Sequence, residues 1–218
     1  MRNDYNDFDN QIDEELRLMV GKGEKVLYSG KPDKKCFIYE SVFNPLLPFA
    51  ALWAVIDFGF IWGITHAEGE RHLAYFAVPF FLLHLMPVWL YLGGVLLTLR
   101  RDKNTSYIIT EKAIYASEGT FSKQYKTKPF TELSHVDLHR GIFDQWLGVG
   151  DVVTASAQAA PGPNGKAQNA DITLEDLPDY LEVYGLVKKL QEGVCADAIH
   201  PHEPRPPENH GYRAKYRG

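Results

Sequence analysis

Cysteine is nearly absent: the 218-residue chain holds only Cys36 and Cys195. They form no C-x-x-C pair and no Cys/His ligand pattern, which leaves no sequence signature of a zinc or dithiol site. Cys36 lies in an apolar run and reads as a core residue; both thiols are expected to be reduced. An apolar leader is missing as well. Met1-Arg2-Asn3-Asp4-Tyr5-Asn6-Asp7 is acidic and has no h-region, so no cleaved signal peptide is expected. The ends carry no lipidation or retention motif. Gly148-Val149-Gly150 has no third glycine and leads through Asp151 into a strand, so it cradles no nucleotide. Ser134-His135 and Asp137-Leu138-His139 sit on a strand with no oxyanion device, and no catalytic triad is expected of them. The basic tail residues Arg205, Arg213, Lys215 and Arg217, interleaved with Tyr212 and Tyr216, do not read as a specific lipid or nucleic-acid site, and no nucleic-acid partner is expected. Neither an enzyme activity nor a cofactor or metal is expected.

What is present is concentrated. At 45% hydrophobic and 23% charged, the whole-chain averages suit an ordinary soluble domain. The apolar residues, however, gather in two runs, Phe43–Thr65 and His72–Leu99. Each exceeds the roughly 20 residues that cross a ~30 Å hydrocarbon layer as a helix. The polar segment His66-Ala67-Glu68-Gly69-Glu70-Arg71 between them suffices for a turn, so a transmembrane helical hairpin is predicted. Lys22, Lys25, Lys31, Lys34 and Lys35 precede the first run; Arg100, Arg101 and Lys103 follow the second. The turn has only Arg71, opposed by Glu68 and Glu70. Positive residues stay inside, so both termini are expected in the cytoplasm and the protein in the plasma (inner) membrane. Pro79 and Pro87 would kink the second run.

Asp57 and His84 are out of place in these runs. An Asp near the centre of a spanning helix costs roughly 2.5–3.5 kcal/mol on insertion scales. Counted from Gly69 at ~1.5 Å per residue, the depths of the two differ by about 4–5 Å. They are predicted to form a hydrogen-bonded pair across the hairpin, as a clasp between helices or toward a partner subunit; a proton or ion relay is the alternative. His66, Glu68, Glu70 and His72 crowd the turn, but their spacing matches no established metal site.

From Thr105 the pattern alternates. Strands are predicted at Ser106–Thr110, Ala113–Ala116, Phe121–Lys128, Pro129–Leu133, Val136–Leu138, Val152–Ser156 and Asp171–Leu174, with a long loop at Ala160–Gln168. A helix is predicted over 178–192, with Tyr180, Leu181, Val183, Tyr184, Val187 and Leu190 on one face and Gly193 as its stop. Before the hairpin, Lys25–Gly30 and Cys36–Tyr39 read as further strands. Such a meander curls into a small barrel or sandwich with the helix over an open end.

Gly23-Glu24-Lys25-Val26-Leu27-Tyr28-Ser29-Gly30 before a hairpin resembles one known arrangement. So do Tyr107-Ile108-Ile109-Thr110-Glu111-Lys112-Ala113-Ile114 and Phe143-Asp144-Gln145-Trp146-Leu147-Gly148-Val149-Gly150-Asp151-Val152 after it. Together, over about Gly21 to Glu192, they resemble the bacterial PH-like, or membrane-flanked, domain family. The resemblance implies a PH-like barrel of about seven strands with a C-terminal helix, on the cytoplasmic membrane face, and no catalytic residues. The expected class is therefore membrane α+β: a two-helix transmembrane hairpin inserted in a PH-like small β-barrel or sandwich capped by a C-terminal helix. The expected parts are an acidic segment 1–20, juxtamembrane strands 21–42, the hairpin 43–99, a PH-like domain 100–195 and a disordered tail 196–218. Lys123, Lys126 and Lys128, on or beside one strand, are the candidates for anionic headgroups, at about 1 kcal/mol each. The expected role is a binding or scaffold platform for membrane lipids or a partner membrane protein, in an oligomer. A small channel or transporter component using Asp57 and His84 is the alternative.

Overall fold

The structure is a computed structural model that describes residues 13–66, 79–156, 160–161, 167–168 and 171–199. The chain divides into two compact units. One is built from the residues up to Phe37 and from Arg101 onward; the other spans Ile38–Arg100.

In the first unit, β1 (Val26–Gly30), β2 (Ser106–Thr110), β3 (Ala113–Glu118) and β4 (Gln124–Pro129) form an antiparallel sheet in sequence order. β5 (Leu133–His139), β6 (Gly150–Ser156) and β9 (Ile172–Leu177) form a second antiparallel sheet. The short β7 (Ala160–Pro161) and β8 (Ala167–Gln168) pair with each other. Alternation sets the packing. Tyr107, Ile109, Ile114 and Ala116 point from β2 and β3 into the main core, where they meet Leu133, Val136, Val152, Ile172 and Leu174. The side chains between them, Ile108, Ala113 and Tyr115, fall on the opposite face.

That opposite face is covered too. α1 (Glu14–Met19) lies within the segment expected only to be an acidic lead, yet its Leu16 is wholly buried against Ile108, Ala113 and Tyr115. Asp13 caps the helix by accepting from the Glu15 N–H at 3.2 Å. This second burial explains why every residue of β2 is buried.

The final helix, α6 (Tyr180–Ile199), closes the sandwich with Val183, Val187, Leu190 and Val194, one apolar stripe at helical spacing. Gly193 does not end it. The predicted stop at 192 falls short because Val194 extends the buried stripe past the glycine, and packing outweighs the ~1 kcal/mol propensity penalty of Gly.

A second correction concerns Cys36–Tyr39, read as a strand. These residues lie in α2 (Lys34–Val42). Asp33 nucleates the turn: its Oδ1 accepts the N–H groups of Lys35 (2.9 Å) and Cys36 (3.0 Å), and its carbonyl accepts from Phe37 (3.1 Å). The apolar pair Cys36-Phe37 is too short to distinguish a strand from a buried helix face by periodicity.

In the second unit, α3 (Leu46–His66) carries Leu46–Ile64, a stretch long and apolar enough to cross a membrane, and only 11% of it is buried. Leu52, Val55, Phe58 and Phe60 are all exposed on it. Residues 79–84 are helical, and after a break at Leu85 the chain enters α4 (Met86–Asn104). Pro87 accounts for the break, since it has no N–H to give to the preceding turn. The predicted turn at 66–71 and the start of the second run lie largely outside the described residues.

Candidate functional site

The apolar unit brings Asp57 and His84 together. His84 Nδ1 lies 2.8 Å from Asp57 Oδ1; with Nδ1 protonated, the ring donates to the carboxylate. Three aromatic side chains hold the imidazole. Trp53 sits 5.0 Å away, centroid to centroid, and its Nε1–H donates to the His84 carbonyl at 2.8 Å. Phe80 stacks at 5.2 Å, and Phe81 meets the ring edge-on at 6.5 Å. Asp57 is 1% exposed, and its Oδ2 has no hydrogen-bond partner among the described residues. A carboxylate with one oxygen satisfied and one buried without a donor can accept one further hydrogen bond. The remaining ligands of the crowded turn, Glu68, Glu70 and His72, lie outside the described residues; His66 Nδ1 is 2.9 Å from the Trp62 carbonyl.

The three lysines proposed for headgroups are dispersed by their partners. Lys123 reaches Asp13 at 2.9 Å, and Lys126 pairs with Glu118. Lys128 is 1% exposed and meets Asp171 at 3.2 Å, so it belongs to the interior and offers no surface for a headgroup. The register explains this. Lys128 stands opposite Ile114, one of the residues that point into the main core. Asp171 is held in turn by the Ser156 N–H (3.0 Å), and that backbone bond, followed by Lys128, draws its carboxyl below the ordinary range.

Two further clusters were given no role in the sequence. Ser134 Oγ lies 3.0 Å from His135 Nδ1, and His135 Nε2 lies 3.4 Å from Asp137 Oδ2. The irregular register between Leu133 and His135 turns the adjacent Ser134 and His135 together. His135 and Asp137 remain 60% and 66% exposed, however, and the serine hydroxyl is bound to the Ala155 carbonyl at 3.1 Å. A solvated carboxylate beside an open imidazole does not fix a base against a nucleophile.

The second cluster is buried. Cys36, Asp144 and Asp176 offer Sγ and carboxylate oxygens within 4.8 Å of one another, and Asp144 is shared with a neighbouring group containing His139 and Asp151. The thiol donates to Asp144 Oδ1 at 3.1 Å, and Asp144 Oδ2 accepts the Gly141 N–H at 2.7 Å. Burial, with Asp144 and Asp176 alongside, pushes the Cys36 thiol far up, so it stays protonated as a donor. Burial likewise raises Asp151, whose Oδ1 accepts the Asp176 N–H at 2.8 Å. With both Asp144 oxygens engaged, the cluster is a pin. It fixes α5 (Ile142–Leu147) to the start of α2.

α5 was not foreseen as a helix. Its signal is local: Gly141 and Gly148 bound it, Asp144 returns to the Gly141 N–H, and Gly148 takes the left-handed conformation (φ 77°) that ends it.

Two antiparallel sheets packed around one core, closed by a C-terminal helix, define a PH-like β-sandwich. The model of the family described as Bacterial PH domain matches residues 49–191, more than half of the chain, and the protein belongs to that family. The match takes in most of α3 and the strands from β2 onward, and begins after β1. No curated protein and no solved structure gives a significant match.

Proposed function

We propose that this protein is an integral membrane protein whose PH-like unit is a binding or scaffold platform. The observation that carries the reading is α3: its apolar side chains face outward over a length that spans hydrocarbon, and water does not solvate such a surface cheaply. The second run supports a two-helix hairpin, with both termini in the cytoplasm of the inner membrane, by the distribution of Lys and Arg. Asp57 and His84 then act as a clasp between the helical segments. Hydrogen bonds of this kind in membranes average about 0.6 kcal/mol. Because Lys128 is buried and Lys123 and Lys126 are paired, the surface is better suited to a partner membrane protein, or a second copy, than to a headgroup held by those lysines. No catalytic role is proposed. Membranes containing the full-length protein test the core claim: it should resist alkaline carbonate and need detergent for release. Quantitative release by carbonate, with a monodisperse product in plain buffer, refutes it.

A second reading rests on the buried Asp57 Oδ2. In it, the carboxylate passes a proton or cation along the apolar unit. Proteoliposomes decide between the two. The clasp predicts no flux in either form and a lower melting temperature for Asp57→Asn; flux that vanishes in Asp57→Asn establishes the relay.

A further inference from the structure

The chain leaves the PH-like unit after Phe37 and rejoins it at Arg101. The Arg101 guanidinium lies 5.2 Å from the Phe37 ring centroid, so both connections to the apolar unit start from one spot on the PH-like unit. However the apolar unit is oriented, its two ends are tied there.

Two exposed apolar elements flank that spot. α5 is pinned to Cys36, the residue before Phe37, by the thiol–carboxylate bond of 3.1 Å. From α5 project Ile142 and Trp146, 84% and 72% exposed. Their spacing of four puts both on one side of the helix. The turn between β3 and β4 carries Phe121, 79% exposed, and lines a cleft with Arg101. Asn104, one turn beyond Arg101, holds that turn by donating to the Gly119 carbonyl at 3.0 Å. A water-facing domain gains nothing by displaying three large apolar side chains around its chain exits.

We propose that Ile142, Trp146 and Phe121 are an interfacial anchor, inserted into the headgroup layer of the same bilayer that holds the apolar unit. The inference rests on the membrane reading above and adds a contact surface to it. Lipid is favoured over a protein partner by position: Leu99 ends the second apolar run two residues before Arg101, so the headgroup layer begins beside this spot. Charge agrees. Lys34 and Lys35 are exposed at the start of α2 next to Cys36, and Arg100 adjoins Arg101, which suits anionic headgroups. Indole rings settle at the membrane–water boundary, with apolar neighbours sinking deeper. The anchor would hold the PH-like unit at a set tilt and leave its remaining surface for a partner.

The test uses full-length protein in nanodiscs of phosphatidylcholine and phosphatidylglycerol, with and without bromine on the upper acyl chain. Subtracting the emission of Trp146→Phe from that of the wild type isolates Trp146. The expected difference spectrum is blue-shifted and loses most of its intensity to the brominated lipid. Phe121→Ser and Ile142→Ser should each shift it toward the red with unchanged circular dichroism. A water-like, unquenched Trp146 signal, with the other tryptophans quenched, overturns the anchor and leaves the membrane reading standing. If the emission remaining in Trp146→Phe is also unquenched, both fall. A blue shift without bromine quenching that grows with protein per disc marks a protein contact and overturns the anchor.

Discussion

Lys128 shows how one residue can be misjudged from its letter alone. In sequence it stands with Lys123 and Lys126 as a third basic residue on a strand; in the fold it is sealed in, with Asp171 as its counter-charge. Removing one partner of such a pair is worse than removing the charge. Asp171→Ala leaves a buried ammonium uncompensated, a cost of about 3–5 kcal/mol in fully buried pairs and less here because Asp171 is 36% exposed. Lys128→Met keeps the volume without the charge. Chemical denaturation in detergent should find Asp171→Ala clearly the less stable of the two; equal stability would contradict the pairing. The pH dependence follows from the same contact. The folded Asp171 carboxyl lies below its ordinary value, so its contribution is complete above that value and is lost as pH falls through the folded one. Asp171→Ala should weaken the acid-side loss of stability.

Among the elements, α6 and α3 announce themselves in sequence, while α2 and α5 do not. A long stripe at helical spacing, such as Val183, Val187, Leu190 and Val194, outweighs a glycine. Short helices carry too few periodic residues, and their ends are written in caps: Asp33 for α2, Gly141 with Asp144 for α5. The stripe also separates two of the three leucines of α6. Leu190 is 2% exposed and Leu181 63%. Leu190→Ala should cost about 2–4 kcal/mol, whereas Leu181→Ala should stay within about 0.5 kcal/mol. Thermal unfolding followed by near-UV circular dichroism distinguishes them, and equal losses would mean that the helix does not dock on this face.

For the whole molecule, the main consequence is that the PH-like unit is assembled from both sides of the apolar segment. β1 comes from before it, β2 from after it, and the two pair antiparallel, Ser29 opposite Ile108 and Gly30 opposite Tyr107. Closing the gap should therefore be cheap. The Arg101 guanidinium lies over the Phe37 ring, 5.2 Å from its centroid, which brings the two chain ends within reach of a Gly/Ser linker of about eight residues in place of 38–100. The excised protein is expected to be soluble without detergent and to unfold cooperatively. Aggregation or a broad, non-cooperative transition would show that the unit needs the apolar segment to fold.

By itself the sequence determined the two apolar runs, the alternating meander, the terminal helix and the pairing of Asp57 with His84. These depend on hydropathy and period, which are properties of neighbours along the chain. Only the tertiary structure decided that Lys128 is interior, that Leu16 seals the second face of β2, that Cys36 pins α5 with Ile142 and Trp146 exposed on it, and that Phe121 lines a cleft with Arg101. Those facts depend on which distant residues share a surface, and a one-dimensional pattern carries no measure of that distance.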